Sequence, residues 1–418
     1  MDHKPLVQQP AAQVFPRARE LPLPALAAIF VARTVLNAAF RAVYPFLPAL
    51  ADGLGLSIPV TAQLVNLRVI VGLGAPLLAP FSDHYGRRRV MELALLLLAL
   101  AGLLLVGWPA LVPAAVAFGL YGLAKVLYDP ALHAYIGDTT PFERRGRIVG
   151  FVELSWSVGW LWGVPTSGFL IDRLGWKAPW GLFALLAVGS VLLMRRTLPP
   201  AFAHQHENAS PSSVLSLIGR TLRPRHVRLI LALAALMALA IEIPFIVYGA
   251  WLERTFSLSM TSLGVASVVI GMAEATAELG TTFITDRLGK RLSVLSGLSG
   301  MMATLVLLPL LPKWGLGATL AGLGLLMLAF EFGLVSLIPL ISESVPDARA
   351  TAVALSATAF SLGRFLGGAL GGWLWQGEQI ALHSVLAIIC VGAAIALLAF
   401  NGEDRLRPPS AQGEEQGA

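Results

Sequence analysis

Long apolar runs are the feature that most constrains this chain. Twelve can be drawn along it, at roughly 24–48, 58–81, 90–108, 111–136, 146–170, 178–194, 227–250, 260–284, 292–311, 316–341, 351–375 and 380–400. Most hold the 17–25 residues that a helix needs to cross a bilayer. Within lipid the backbone must satisfy its own hydrogen bonds, so runs of this length are expected to be helices. Composition agrees. The 418 residues are 56% hydrophobic and only 13% charged, about half the charged share of a water-soluble protein. Mean hydropathy is +0.74. The expected class is an all-α, multi-pass membrane protein whose first partner is the lipid bilayer.

Lys and Arg orient the spans. With the N-terminus placed in the cytoplasm, twenty-one of the thirty Lys and Arg fall in segments or span ends on that side, against four in the outer loops. Both termini are therefore expected in the cytoplasm. The net charge of +6 is a topology signal and not a nucleic-acid patch. Trp108, Trp176, Trp180, Trp251, Trp314, Trp373 and Trp375 fall at predicted outer ends of spans, where an aromatic belt is expected. The stretch before the first run, with Pro10, Pro16, Arg17, Arg19 and Glu20, does not read as a cleavable signal peptide.

A charged turn joins spans 2 and 3, Ser82-Asp83-His84-Tyr85-Gly86-Arg87-Arg88-Arg89, and it recurs between spans 8 and 9 as Thr285-Asp286-Arg287-Leu288-Gly289-Lys290-Arg291. Asp83 and Asp286 are 203 positions apart. Gly159, Gly163 and Gly168 of span 5 match Gly363, Gly367 and Gly372 of span 11 at an offset of 204, and Pro141 and Pro346 stand 205 apart. One nearly constant offset through three features implies an internal repeat, as in many secondary transporters. The expected organisation is a tail (1–22), a first six-helix bundle (23–196), a linker (197–225) with a short surface helix at Val214–Leu222, a second bundle (226–400) and a tail (401–418).

These residues carry a resemblance to the major facilitator superfamily, in particular its twelve-span drug:proton antiporters. The first turn is similar to the family signature Gly-x-x-x-Asp-Arg-x-Gly-Arg-Lys/Arg through Asp83, Gly86, Arg87 and Arg88, with Ala79 in place of the leading Gly and His84 in place of the first Arg. The second copy keeps Asp286, Arg287, Gly289, Lys290 and Arg291, with Thr282 in place of the leading Gly. The resemblance implies two pseudo-symmetric six-helix bundles that rock about a central site. It also implies a latch in which the turn's carboxylate meets the N-terminus of span 11, where the helix dipole favours it, and Arg87 pairs with an acid of span 4, matched here by Asp129. Gly150, Gly159, Gly163, Pro165 and Gly168 resemble the antiporter motif of drug/proton exchangers, although Val164 separates Gly163 from Pro165 and Ser167 takes a later glycine position. The same small residues, with Gly363 and Gly367, suit close helix packing.

Charge inside the membrane is costly and marks a substrate or ion path, or a buried pair. The first half supplies Arg33, Arg41, Arg68, Lys125 and Asp129, with Glu92 and Glu153 nearer the cytoplasmic ends; the second supplies Glu242, Glu274, Glu278, Glu331 and Arg364. Arg33, Asn37 and Arg41 share one helix face, as do Glu274 and Glu278. A carboxyl that alternates between an apolar setting and a cationic neighbour can bind and release a proton. Glu242, Glu278 and Glu331 are the candidate acids. Arg41, Arg68 and Lys125 are candidate cation partners or anion contacts. Fixed structural bridges are the alternative for any one of them.

No cofactor or metal is expected. Cys390 is the single cysteine, His204-Gln205-His206-Glu207 lacks further ligands, Asn208-Ala209-Ser210 is a sequon on the predicted cytoplasmic side, and Gly289-Lys290 lacks the rest of a phosphate-binding loop. No nucleophile–base pair reads as an active site, so an enzyme is not expected. The leading expectation is a monomeric plasma (inner) membrane transporter exporting a small organic solute in exchange for protons. Uptake of a metabolite or anion, and a non-transporting receptor of the same fold, are the alternatives.

Overall fold

The computed structural model describes residues 21–74, 78, 81–199, 211–345, 349–377 and 379–400. Expectations placed on Ala79, on His204–Glu207, Asn208 and Pro346, on most of both tails, and on the side chains of Asp83 and Asp286 lie outside the described residues.

All regular structure among the described residues is helical. The first half runs α1 (Leu23–Ala42), α2 (Leu47–Leu54), α3 (Ile58–Ile70), α4 (Phe81–Tyr85), α5 (Arg87–Gly107), α6 (Leu111–Thr139), α7 (Phe142–Glu153), α8 (Ser155–Val158), a π-helical turn (Gly159–Gly163), α9 (Val164–Leu174) and α10 (Ala178–Thr197). Then come α11 (Pro211–Leu222), which includes the expected surface helix, and the second half: α12 (Arg225–Phe245), α13 (Tyr248–Phe256), α14 (Met260–Ala266), α15 (Val268–Leu288), α16 (Lys290–Leu307), α17 (Leu316–Ser344), α18 (Arg349–Leu374) and α19 (Ile380–Phe400).

Among the described residues, nine helical stretches are long and apolar enough to cross a bilayer unaided; the pair α2 and α3, with the turn after it, passes only if counted together, across a bend of 109°. Spans 2, 5 and 9 of the twelve expected fall short for identifiable reasons. Span 2 leaves its α-helix at Ile70. Span 5 is broken at Leu154 and again at the π-helical turn. Span 9 is 18 residues long and opens on Lys290 and Arg291.

The repeat is visible in the packing. In the first half, span 1 packs on 5 and 6, span 4 on 2 and 3, and span 3 on 6; in the second, span 7 packs on 11 and 12, span 10 on 8 and 9, and span 9 on 12. Across the halves, span 5 meets span 8 and span 2 meets span 11, the pattern that two-fold pseudo-symmetry requires. The charged turns repeat in backbone as well. Gly86 (φ 89°, ψ 134°) and Gly289 (φ 81°, ψ 145°) cap α5 and α16 in the same conformation, one that only glycine enters without strain.

Small residues set the helix spacing. A Cβ on Gly363, Gly367 or Gly371 of α18 would fall within 2.1–2.6 Å of the carbonyl oxygens of Ala235, Leu239 and Ile243 on α12. On Gly163 it would fall 2.2 Å from the Cβ of Ala38. Gly150 departs from the expected packing set, because nothing lies within 4 Å of the place its Cβ would take. The tryptophans also divide. Trp108, Trp314 and Trp373 are exposed, as a belt requires, whereas Trp180, Trp251 and Trp375 are buried in helix contacts at the same end. A large apolar ring gains more from packing than from an interfacial position when a neighbouring helix is within reach.

Candidate functional site: buried charges between the halves

Arg33, Asn37 and Arg41 all face inward from α1, at 2%, 0% and 5% exposure. Arg33 pairs with Asp129 (3.3 Å) and Glu153 (3.0 Å) and donates to the carbonyl of Val152. Lys125 pairs with Asp129 at 2.9 Å and donates to Asn37 Oδ1, while His133 meets Glu153 at 3.0 Å. These groups all belong to the first half. Two cations and two carboxylates balance one another there, which gives the cluster the character of an internal bridge.

Arg41 belongs to a different set. It reaches across the halves to Glu274 of α15 and lies over the rings of Trp156 (4.5 Å) and Trp160 (5.1 Å). Lys125 shares Trp156 from 3.8 Å. A second crossing joins Tyr44, whose hydroxyl donates to Glu242 Oε1 at 2.9 Å, to the ion pair of Glu242 Oε2 with Arg364 Nε at 3.0 Å. Arg364 Nη2 also donates to the Tyr44 hydroxyl at 3.3 Å, closing a triangle between spans 1, 7 and 11. Tyr44 escaped the sequence reading. Its one signal was its place three residues beyond Arg41, on the face that Arg33, Asn37 and Arg41 define.

Arg68 is 2% exposed, bonds the carbonyl of Phe40 through Nη1, and has the rings of Phe40 and Tyr44 at 4.2 and 4.5 Å. Glu278 is half-buried and Glu331 buried; neither has an ion pair within 4.0 Å among the described residues.

At the basic end, the structure corrects one expectation. Arg87 pairs with Asp138 at 3.3 Å and donates to Ser82 Oγ at 2.7 Å; Asp129 is held by Arg33 and Lys125 instead. Asp129 lies nine residues before Asp138 on α6, about 13 Å further along the helix axis and on its opposite face, out of reach of a side chain that meets Asp138. The second turn repeats the corrected pairing through Lys290 and Glu343. Arg88 donates to the carbonyl of Leu198 at 2.6 Å, and Arg291 to that of Leu398 at 2.8 Å, so each turn also holds the C-terminal end of the last helix of its half. Arg88 further pairs with Glu92, and Arg195 with the same carboxylate. Arg287 is exposed. Asp138 and Glu343 stand 205 apart, so the repeat offset was the signal that could have found them.

At the opposite end, the carboxylate of Asp172, from span 5, accepts hydrogen bonds from the backbone N–H groups of Met260 (3.2 Å) and Thr261 (2.7 Å) at the start of α14 in span 8. Gly168 sits against the Met260 carbonyl beside it. Nothing in the sequence pointed to Asp172, because its partners are backbone groups.

With this geometry in hand, comparison with known proteins places the chain. The model of the Major Facilitator Superfamily matches residues 29–314 and 230–418. The chain belongs to that family and is a membrane transporter of small molecules, resembling its drug:proton antiporters. It is 26% identical over 372 residues to the uncharacterized MFS-type transporter YwfA of Bacillus subtilis, covering 85% of each chain. It is 22% identical over 347 residues to multidrug resistance protein 2 of Bacillus subtilis, covering 78% of this chain and 85% of that one. The solved D-xylose-proton symporter superposes with a TM-score of 0.72 at 16% identity, over 92% of this chain and 99% of that one, which is a likeness of fold.

Proposed function

We propose that the chain carries a small organic solute across the membrane by alternating access and couples that movement to protons, as an exporter. The observation that carries this reading is the pair of buried polar crossings between the halves, Arg41 with Glu274 and Tyr44 with Glu242 and Arg364. Buried ion pairs are a poor way to glue two bundles, since desolvation offsets much of their attraction. They suit contacts that must break and re-form. Glu278 and Glu331, beside these crossings and without an ion pair among the described residues, are the groups able to take up a proton in one state and give it back in the other.

Contacts at the two ends steady the moving parts. At the basic end, the turns Asp83–Arg89 and Asp286–Arg291 hold each half through Arg87–Asp138 and Lys290–Glu343. At the far end, Asp172 ties span 5 to the start of span 8. The basic end is the cytoplasmic one, with both termini there, the linker of 197–225 between two six-helix bundles, and the chain acting as a monomer in the plasma (inner) membrane. The residues of span 5 that resemble the antiporter motif, and the likeness to multidrug resistance protein 2, favour export.

The test is flux in proteoliposomes across a solute panel, with and without an imposed pH gradient. Solute efflux driven by an opposing proton gradient is the expected result. Solute binding with no flux under any gradient would replace a transporter with a receptor of the same fold.

A further inference from the structure

We infer that Arg68 is a docking point for a carboxylate, and that the cargo is accordingly a small organic acid. This rests on the transport reading above and adds the chemical class of the solute.

An arginine carries five N–H donors on three nitrogens. In Arg68, Nη1 is used by the Phe40 carbonyl. Nε and Nη2 are buried and have no hydrogen-bond partner. Among the described residues no carboxylate lies within 4.0 Å of the guanidinium. The neighbouring acid, Glu242, is already engaged at both oxygens, one by Tyr44 and one by Arg364. Around Tyr44 stand the guanidinium groups of Arg41, Arg68 and Arg364; Arg41 has Glu274 and Arg364 has Glu242, and Arg68 is the one without a carboxylate of its own among the described residues. A buried cation without a carboxylate of its own is an unfavourable arrangement, and a transporter resolves it when its solute arrives.

The unused donors name the ligand. Nε and Nη2 form one edge of the planar guanidinium, the edge that meets the two oxygens of a carboxylate in parallel bonds. The ring centroids of Phe40 and Tyr44 lie 4.2 and 4.5 Å from the guanidinium carbon, so aromatic surface stands beside the group and suits the hydrocarbon part of an organic acid. Span 2 packs against span 11 here, with Asn66 Nδ2 donating to the Phe365 carbonyl at 2.7 Å. The site therefore stands on the boundary between the halves, where rocking opens it.

The experiment is thermal unfolding of the purified full-length protein in detergent, with formate, acetate, benzoate, succinate and citrate, each against its neutral amide. At least one carboxylate should raise the unfolding temperature where its amide does not. Arg68→Gln should weaken that response by roughly tenfold to a hundredfold, the worth of a charge-assisted pair of hydrogen bonds. Arg68→Lys, which keeps the charge but loses the fork, should recover part of it, and it makes the same decision if Arg68→Gln does not fold. Equal responses to acid and amide, or an undiminished response in the folded Arg68 variants, would overturn the assignment. Proteoliposome flux separates the two failures. Proton-driven flux confined to neutral or cationic solutes would refute the carboxylate and leave transport standing, while carboxylate binding through Arg68 without flux would do the reverse.

Discussion

The hydroxyl of Tyr44 donates a 2.9 Å hydrogen bond to Glu242, a residue 198 positions away in the other half of the chain. Glu242 is 1% exposed and its second oxygen is held by Arg364. One carboxylate thus joins three spans and both halves. Its replacement by Gln keeps an acceptor for Tyr44 but leaves the Arg364 guanidinium, whose side chain is 26% exposed, without its counter-charge. Removing one partner of a fully buried pair costs about 3–5 kcal/mol, and the water that reaches Arg364 brings this pair below that range. Glu242→Gln should lower the unfolding temperature in detergent, and adding Arg364→Gln should restore much of the loss. Stability unchanged in the single variant would show that the pair carries no net weight.

At the basic end, Arg87 should couple to Asp138 and not to Asp129. The Arg87–Asp138 side chains are 16% and 27% exposed, so the pair is worth about 0.5–1 kcal/mol. Double-mutant cycles on thermal unfolding in detergent should give that coupling for Asp138→Asn and none for Asp129→Asn. The opposite pattern would restore the pairing expected from the family signature.

At the far end, Asp172→Ala removes a carboxylate from the backbone N–H groups of Met260 and Thr261. Loss of such a cap costs about 1 kcal/mol, which shifts a two-state balance roughly fivefold. Labelling of a cysteine placed near the start of α14 should rise by that factor. Unchanged labelling would mean that the span 5 to span 8 contact is held by packing alone.

Gly163 and Gly150 should respond differently to a single methyl group. Gly163→Ala drives its Cβ to 2.2 Å from that of Ala38, while Gly150→Ala meets nothing within 4 Å. Overpacking of this kind costs about 1–3 kcal/mol. Thermal unfolding in detergent should fall for Gly163→Ala and hold for Gly150→Ala, and equal behaviour would place span 5 further from span 1 than the structure has it.

Much of the fold was legible in the sequence because it rests on one-dimensional signals. Apolar run length marked the spans, and the constant offset through Asp83, Gly159 and Gly163 marked the repeat that the packing and the glycine turns then display. The family resemblance followed from the same residues. The site was legible as a list and not as a network. Arg41, Glu242 and Glu274 stood out as membrane charge, but which acid meets which cation depends on the relative height of helices that are distant in sequence. Asp129 and Asp138 lie on one helix, and nine residues set them about 13 Å apart in depth and about 180° apart around its axis, which separates the partner of Arg33 from the partner of Arg87. Asp172 gave no signal because it binds backbone, and the one signal of Tyr44, its place three residues beyond Arg41, was masked because a tyrosine at a span end also serves as an interfacial anchor.

The central claim is that protons move with solute through the acids between the halves. Vesicles holding the reconstituted protein and a trapped pH-sensitive dye, with no imposed gradient, measure it directly. Adding transported solute to one side should shift the internal pH in the wild type. In Glu278→Gln and Glu331→Gln variants the pH shift should be lost while solute-for-solute exchange continues. Solute entry with no pH change in the wild type, or an undiminished pH change in both variants, would contradict proton coupling by these residues.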